Sequence, residues 1–251
     1  MAFSTPAEFV FQSNIFYIYR AFFKDKLTDL CFETGAKNCI FVLMNSEINQ
    51  DDGRFLPVME QFSSLQGEGV NTGKAAWFVR LGGCDVGCSF CDVKESWDPE
   101  LHPLMPAESI VENVVNSKLG AVVLTGGEPL KWSMDYLTAE LHKNNIFIYL
   151  ETSGSENPSG SFDWICVSPK KGVTVHPYWF AKAHELKVII QGENDMVFAE
   201  GLANLVNPSC IIQLQPEWSV RNEVLPMLVN YITTHPQWRL SVQTHKYIKI
   251  P

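Results

Sequence analysis

Three cysteines stand close together in one glycine-bearing stretch, Gly82-Gly83-Cys84-Asp85-Val86-Gly87-Cys88-Ser89-Phe90-Cys91. The spacing is Cys84-x3-Cys88-x2-Cys91, and glycine lets the backbone wrap tightly enough for three thiolates to face one centre. The number three narrows the chemistry. A structural zinc site is closed by four ligands, and electron-transfer iron–sulfur clusters are also held by four cysteines. Three thiolates on a four-iron–four-sulfur cluster leave one iron open to an exogenous ligand, which is an arrangement for catalysis. Two other readings stay open on the spacing alone: a zinc site completed by His102, and three thiols that hold no metal.

A second segment, Gly126-Gly127-Glu128-Pro129, reads in isolation as a strand-to-helix turn, because Gly and Pro punctuate loops. Beside a cysteine site it gains a chemical reading. Its glycines admit close backbone approach, and a carboxylate or carbonyl there can accept hydrogen bonds from a ligand ammonium. Arg80, just before the cysteine loop, is a candidate anion binder, with a solvated or ion-paired side chain as the alternative. Glu151 reads as a strand-end cap, Lys170 and Lys171 as a solvated pair, and Trp164 and Trp218 as core.

The elements that must position these residues follow from the periodicity. Short runs rich in Val, Ile and Phe predict strands at Ala75–Leu81, Ala121–Thr125, Ile146–Glu151, Trp164–Ser168, Leu186–Ile190, Ile211–Gln215 and Leu240–Gln243. Helical patterns fall between them at Ala107–Leu119, Met134–Lys143, Asp195–Leu205 and Glu223–Thr233. In the first of these, Ile110, Val111, Val114 and Val115 share a face. Strand alternating with helix is the pattern of a parallel sheet with crossover helices. The unusual polar motifs all follow strands, at the end where parallel α/β folds build their active sites. Residues scattered over the chain are therefore expected to converge.

Bulk composition excludes several classes. The chain has 251 residues and a net charge of −9, against a partner such as nucleic acid whose phosphates need surplus Lys and Arg. Seven cysteines, an odd number with three clustered, do not fit a secreted disulfide framework, and a reducing, cytoplasmic setting is expected. No apolar run reaches the ~18–20 residues of a membrane span. Residues 1–43 read as an N-terminal extension, with Met44 a possible start and residues 44–251 forming the catalytic domain; an extra helix packed on the domain is the alternative.

Cys-x3-Cys-x2-Cys followed by Gly-Gly-Glu-Pro resembles the radical S-adenosylmethionine (SAM) enzymes. Leu65-Gln66-Gly67-Glu68-Gly69, Phe78-Val79-Arg80-Leu81, Cys91-Asp92 and the ending Thr244-His245-Lys246-Tyr247 with Pro251 are similar to the 7-carboxy-7-deazaguanine synthase family. The likeness spans about residues 56–251. It implies a partial, incomplete TIM-like barrel of parallel strands with crossover helices. It also implies conversion of 6-carboxy-5,6,7,8-tetrahydropterin to 7-carboxy-7-deazaguanine with loss of ammonia, in queuosine and deazapurine biosynthesis. On this resemblance Cys84, Cys88 and Cys91 ligate a 4Fe-4S cluster. Phe90, Asp92, Gly127, Glu128, Ser153, Ser168, Lys170, Gln215 and Glu217 contact SAM. Leu65, Gln66, Gly67, Arg80, Thr125 and the carboxylate at Pro251 contact the pterin, with His245 nearby. A flavodoxin or ferredoxin donor and a homodimer are implied, with no nucleic-acid or membrane partner. One position departs from the family: Val93 stands where a Thr or Ser hydroxyl usually helps hold Mg2+, so a weakened magnesium requirement is expected. A glycyl-radical activase and a non-catalytic zinc-binding module are the alternative functions.

Overall fold

The computed structural model describes residues 52–251; the expected extension over residues 1–43 and the start at Met44 lie outside them. Nine strands form one sheet: β1 (Phe55–Leu65), β2 (Ala75–Leu81), β3 (Leu104–Pro106), β4 (Ala121–Gly126), β5 (Phe147–Thr152), β6 (Trp164–Val167), β7 (Glu185–Ile190), β8 (Ile211–Pro216) and β9 (Trp238–Leu240). Their order is β3-β1-β2-β4-β5-β6-β7-β8-β9. β1 runs antiparallel to β2 and β3, and every pairing from β2 through β4 to β9 is parallel.

Parallel neighbours need crossovers, and helices supply all of them except that from β5 to β6, which is a loop over residues 153–163. α1 (Ala107–Ser117) leads into β4, α2 (Asp135–Lys143) joins β4 to β5, and α3 (Pro177–Lys182) joins β6 to β7. α4 (Asp195–Ala203) joins β7 to β8, and α5 (Arg221–Thr234) joins β8 to β9, after which α6 (Thr244–Ile248) follows. α1 buries Ile110, Val111 and Val114, whereas Val115 lies 39% exposed at the edge of the expected face. The helix stops where Lys118 adopts φ 60° and donates its backbone N–H to Val115. Leu137 and Leu141 of α2 pack with Leu124, Ile148 and Leu150 in one core; α4 and α5 cover Leu186, Val188 and Leu214 in a second.

The predicted strands match six of the observed ones to within a residue or two. The last does not: β9 ends at Leu240, and the predicted continuation leaves the sheet. Gln243 turns its amide to Glu68, and Thr244 donates its backbone N–H to Gly67, so the chain bonds the segment after β1 instead of a strand. β1 escapes the strand prediction because Pro57 interrupts it and its second half, with Glu60, Gln61, Ser63 and Ser64, is largely polar. β3 and α3 are too short for a period to show.

The sheet is open and strongly curled. Six inter-strand steps separate β1 from β8, roughly 29 Å if the sheet lay flat at about 4.8 Å per step. Yet Glu68, just past β1, accepts a hydrogen bond from Gln215 of β8 at 3.0 Å. The curl brings the carboxyl ends of the parallel strands around one space. Leu124, fully buried on β4 in the middle of this arc, tests the packing that holds it. Leu124→Ala is expected to cost about 2–5 kcal/mol, read from the urea unfolding midpoint at unchanged slope.

Candidate active site

A cavity of about 520 Å³ opens at the carboxyl ends of the parallel strands, within the size range of small-molecule sites. All the residues expected to hold the cluster, SAM or the pterin line it. Cys84, Cys88, Phe90, Cys91 and Asp92 come from the loop after β2, while Leu65, Gln66, Gly67, Arg80 and Thr125 come from β1, β2 and β4 or just beyond them. Gly127 and Glu128 follow β4, Ser153 follows β5, Ser168 and Lys170 follow β6, Gln215 and Glu217 belong to the end of β8, and Pro251 closes the set.

The cysteine loop is built against the turn after β4. Gly83 has φ +101° and Gly87 φ +66°, conformations that side-chain-bearing residues rarely adopt. A Cβ on Gly127 would lie 2.4 Å from the Gly83 carbonyl oxygen and 3.1 Å from the Cys84 Cβ. That position is glycine because the two loops touch there. Backbone bonds Gly127 N–H to Leu81 and Glu128 N–H to Gly83, both 2.8 Å, fix the contact, and Lys131 pairs with Asp85 across it.

Burial pushes the Cys84 and Cys88 thiols up from their ordinary range, and the charge of neighbouring cysteines pushes in the same direction. The nearby Lys170 opposes the rise at Cys88. Three convergent thiols, two of them resisting ionisation when unmetallated, are a donor set that a multiply charged centre would complete. Among the described residues no three His, Cys, Asp or Glu side chains are arranged around a single ion. Three cysteine thiols lining one cavity are the donor chemistry of an iron–sulfur cluster, so the set fits one. His102, the candidate fourth zinc ligand, instead places Nε2 2.8 Å from the Glu95 carbonyl oxygen, and this corrects the zinc reading.

Glu128 is 1% exposed. Its carboxylate accepts from Leu130 N–H (3.1 Å), Thr152 Oγ1 (2.6 Å) and Ser153 N–H (2.8 Å), and also from the Ser153 hydroxyl. Burial raises its pKa and these donors oppose the rise. The side chain is thus a bracket between the ends of β4 and β5, and the ligand-facing groups of this turn are backbone. Lys170 does not behave as half of a solvated pair: its ammonium donates to the Ser168 hydroxyl at 2.8 Å, and burial lowers its pKa. Lys171 pairs with Asp195. Glu217 accepts from Ser219 N–H at 2.9 Å.

Opposite the cysteines lies a network that the sequence reading did not assemble. Lys187 of β7 is 5% exposed, yet lines the cavity. Its Nζ lies 2.8 Å from Glu68 Oε2 and 2.9 Å from Glu151 Oε2. Gln66 donates to Glu151 at 3.0 Å, Gln215 to Glu68 at 3.0 Å and Gln243 to Glu68 at 2.8 Å. Glu151 is therefore part of a pocket ion pair and not a cap. Burial alone would raise Glu68, but Lys187 and the two amides bring it down to about 2. A charged residue inside the apolar run Leu186–Ile190 was the available signal. Glu185 on the same strand, 2% exposed, is pushed up to about 7 by burial and then by Glu151.

The C-terminal stretch forms the remaining wall. A Cβ on Gly67 would lie 2.3 Å from His245 Nδ1, so His245 packs directly on the segment after β1. Ser64 donates to the Pro251 carbonyl at 3.2 Å. Lys246 pairs with Asp92 at 2.7 Å and sits 5.2 Å above the Trp218 ring, which also stacks edge-on with Tyr247. Trp218 thus lines the site and is not core. Trp164, also read as core, is only partly buried and donates to Glu185 at 3.2 Å. Arg80 lies 3.3 Å from Glu60 and over the Phe62 ring.

Residues 78–160 match the Radical SAM superfamily. The chain is 48% identical over 205 residues to the 7-carboxy-7-deazaguanine synthase of Flavobacterium psychrophilum, covering 82% of this chain and 97% of that protein. It is 43% identical over 196 residues to the 7-carboxy-7-deazaguanine synthase of a Synechocystis strain, covering 77% and 93%. The crystal structure of QueE from Escherichia coli superposes with a TM-score of 0.70 at 30% identity, covering 78% of this chain and 97% of that one.

The Glu68 carboxylate gives a pH signature. Because its pKa is lowered from 4.5 to about 2, its stabilisation is fully present above pH 4.5 and is lost as pH falls towards 2. Glu68→Gln should be less stable than the parent at neutral pH, with the difference closing across that window. Urea unfolding midpoints followed through the acid range check it; parallel curves would contradict the assignment.

Proposed function

This chain belongs to the 7-carboxy-7-deazaguanine synthase family of radical SAM enzymes, and from that premise we propose that its cavity converts 6-carboxy-5,6,7,8-tetrahydropterin to 7-carboxy-7-deazaguanine with loss of ammonia. The observation that carries the proposal is the convergence of three loop cysteines and a polar, carboxylate-lined pocket in one cavity at the strand ends. When bound, the cluster and SAM supply a carbon-centred radical able to take a hydrogen from the pterin. Everything else falls to the chain's own side chains.

Cys84, Cys88 and Cys91 hold the cluster, and the Gly126–Gly127 backbone, too close to Leu81 and Gly83 for any Cβ, presents its polar groups to the methionine end of SAM. Phe90, Asp92, Ser153, Ser168, Lys170, Gln215 and Glu217 frame the rest of the cofactor. On the opposite wall Leu65, Gln66, Gly67, Arg80, Thr125 and Pro251 receive the pterin. The curled sheet serves as an incomplete barrel that keeps water from the reacting centre. A flavodoxin or ferredoxin supplies electrons, the chain works as a cytoplasmic homodimer, and the catalytic domain is residues 44–251. No helix among the described residues is long and apolar enough to cross a membrane.

The magnesium site does not fit. Val93 carries no side-chain oxygen, its carbonyl accepts from the Ser96 hydroxyl at 2.6 Å, and the Asp92 carboxylate is held by Lys246 at 2.7 Å. Magnesium needs an oxygen octahedron. The positive charge facing the substrate carboxylate then comes from Lys246 and Arg80. Chelator-treated, cluster-loaded enzyme should keep most of its turnover; collapse of activity restored only by added Mg2+ would contradict this.

The reaction itself is tested by anaerobic incubation of the brown, cluster-loaded protein with SAM, reductant and the carboxylated pterin. Mass analysis should find the deazaguanine acid and ammonia. Cys88→Ala should lose both colour and product, by about 10³-fold or more in rate, the scale on which removing an essential part of a catalytic unit acts. A colourless parent protein, or a brown one that leaves the pterin intact, would overturn the proposal.

A further inference from the structure

The reading above gives Lys187 no part, although it is a buried cation in the middle of an apolar strand. Leu186 and Val188 on either side are fully buried in the core, and Lys187 is turned to the cavity between them. Its ammonium is the shared partner of two carboxylates, Glu68 and Glu151, which come from opposite sides of the pocket mouth. Two carboxylates this close in a poorly solvated site stay ionised together only with a cation between them; otherwise one takes up a proton. The other donors that reach them are neutral: the amides of Gln66, Gln215 and Gln243, and the Cys166 thiol at Glu151.

We propose that Lys187 is a positioning residue for the substrate: it touches no reacting atom, and by standing between Glu68 and Glu151 it keeps both as hydrogen-bond acceptors at the pocket wall. The inference rests on the pterin reading above. The pyrimidine edge of a pterin presents amino and ring N–H donors, which a carboxylate accepts and a carboxylic acid would meet with a competing donor. Lys187 also fixes the Gln66–Glu68 segment, since Gln66 and Glu68 are each bonded to members of the network.

The charged and titratable groups facing Lys187 are Glu68 after β1, Glu151 on β5, Cys166 on β6, Lys170 after β6 and Glu185 on its own strand. Burial would push the Lys187 ammonium down, but the anionic groups around it hold it well above its ordinary range. Glu185 titrates near 7 in the parent protein, so each variant is read as a difference from the parent.

The test uses anaerobic, cluster-loaded protein in four forms: parent, Lys187→Met, Lys187→Arg and the double variant Lys187→Met with Glu68→Gln. Calorimetric affinity for the carboxytetrahydropterin is followed from acid to alkaline pH, and infrared difference spectra count protonated buried carboxyls. Lys187→Met should bind about 10- to 100-fold more weakly at neutral pH, the scale on which an unpaired buried charge weakens binding. The loss should deepen as pH falls, with one more protonated carboxyl than the parent. Removing one of the two carboxylates should relieve the other, so the double variant loses the extra proton and the pH dependence that goes with it, while its affinity stays below the parent because Glu68 is gone as an acceptor. Lys187→Arg, which keeps the charge, should stay close to the parent, and it carries the test if Lys187→Met does not fold. A Lys187→Met protein with parental affinity and no added carboxyl proton would overturn the proposal, as would a double variant that keeps the added proton. If the parent itself binds no pterin, the substrate reading falls, and the infrared count still decides whether Lys187 holds both carboxylates ionised.

Discussion

A buried ammonium cannot stand alone, and the position of Lys187 makes that the constraint on which this pocket depends. Taking a charge out of water costs several kcal/mol unless it is paired and hydrogen-bonded. Here the partners come from residues far apart in sequence: Glu68 after β1 and Glu151 at the end of β5, with Gln215 of β8 and Gln243 beyond β9 bonded to Glu68 in turn. Satisfying one lysine therefore draws together strand ends that a flat sheet would keep apart. The same network ties the segment after β1 and the stretch beyond β9 to the ends of the curled parallel strands.

The other half of the cavity works through close backbone contact. Gly83, Gly126 and Gly127 let the cysteine loop and the turn after β4 touch without side chains between them. Glu128 then locks that turn to the end of β5 by accepting four hydrogen bonds. The two halves divide the labour. One is a rigid backbone cradle beside three thiols, suited to a cluster and its cofactor; the other is an ionised, hydrogen-bonding wall suited to a substrate with donors on one edge and a carboxylate on another.

Much of this was legible in the sequence, and the reasons differ by residue. The parallel strands could be read because both their faces are covered, so Ala121–Leu124 and Phe147–Leu150 are continuous apolar runs. The cysteine and glycine motifs could be read because few other residues fit such turns. The network around Lys187 could not be assembled, since pairing between residues 36 to 175 positions apart leaves no local period, although a lysine inside Leu186–Ile190 was itself a clue. Trp218 read as core because an aromatic near a strand end usually is; only Lys246 and Arg221 lying over its ring show its place. The end of β9 was misplaced because Ser241 and Gln243 keep a strand-like alternation while serving Gln215 and Glu68.

The central claim is that Cys84, Cys88 and Cys91 hold a four-iron cluster with one iron left open to SAM. Electron–nuclear double resonance on the reduced protein, with SAM isotopically labelled in its amino and carboxylate groups, addresses it directly. The account predicts hyperfine coupling from both labels to the cluster spin, absent when SAM is omitted. A cluster signal that SAM leaves unchanged, with no coupling from either label, would contradict it.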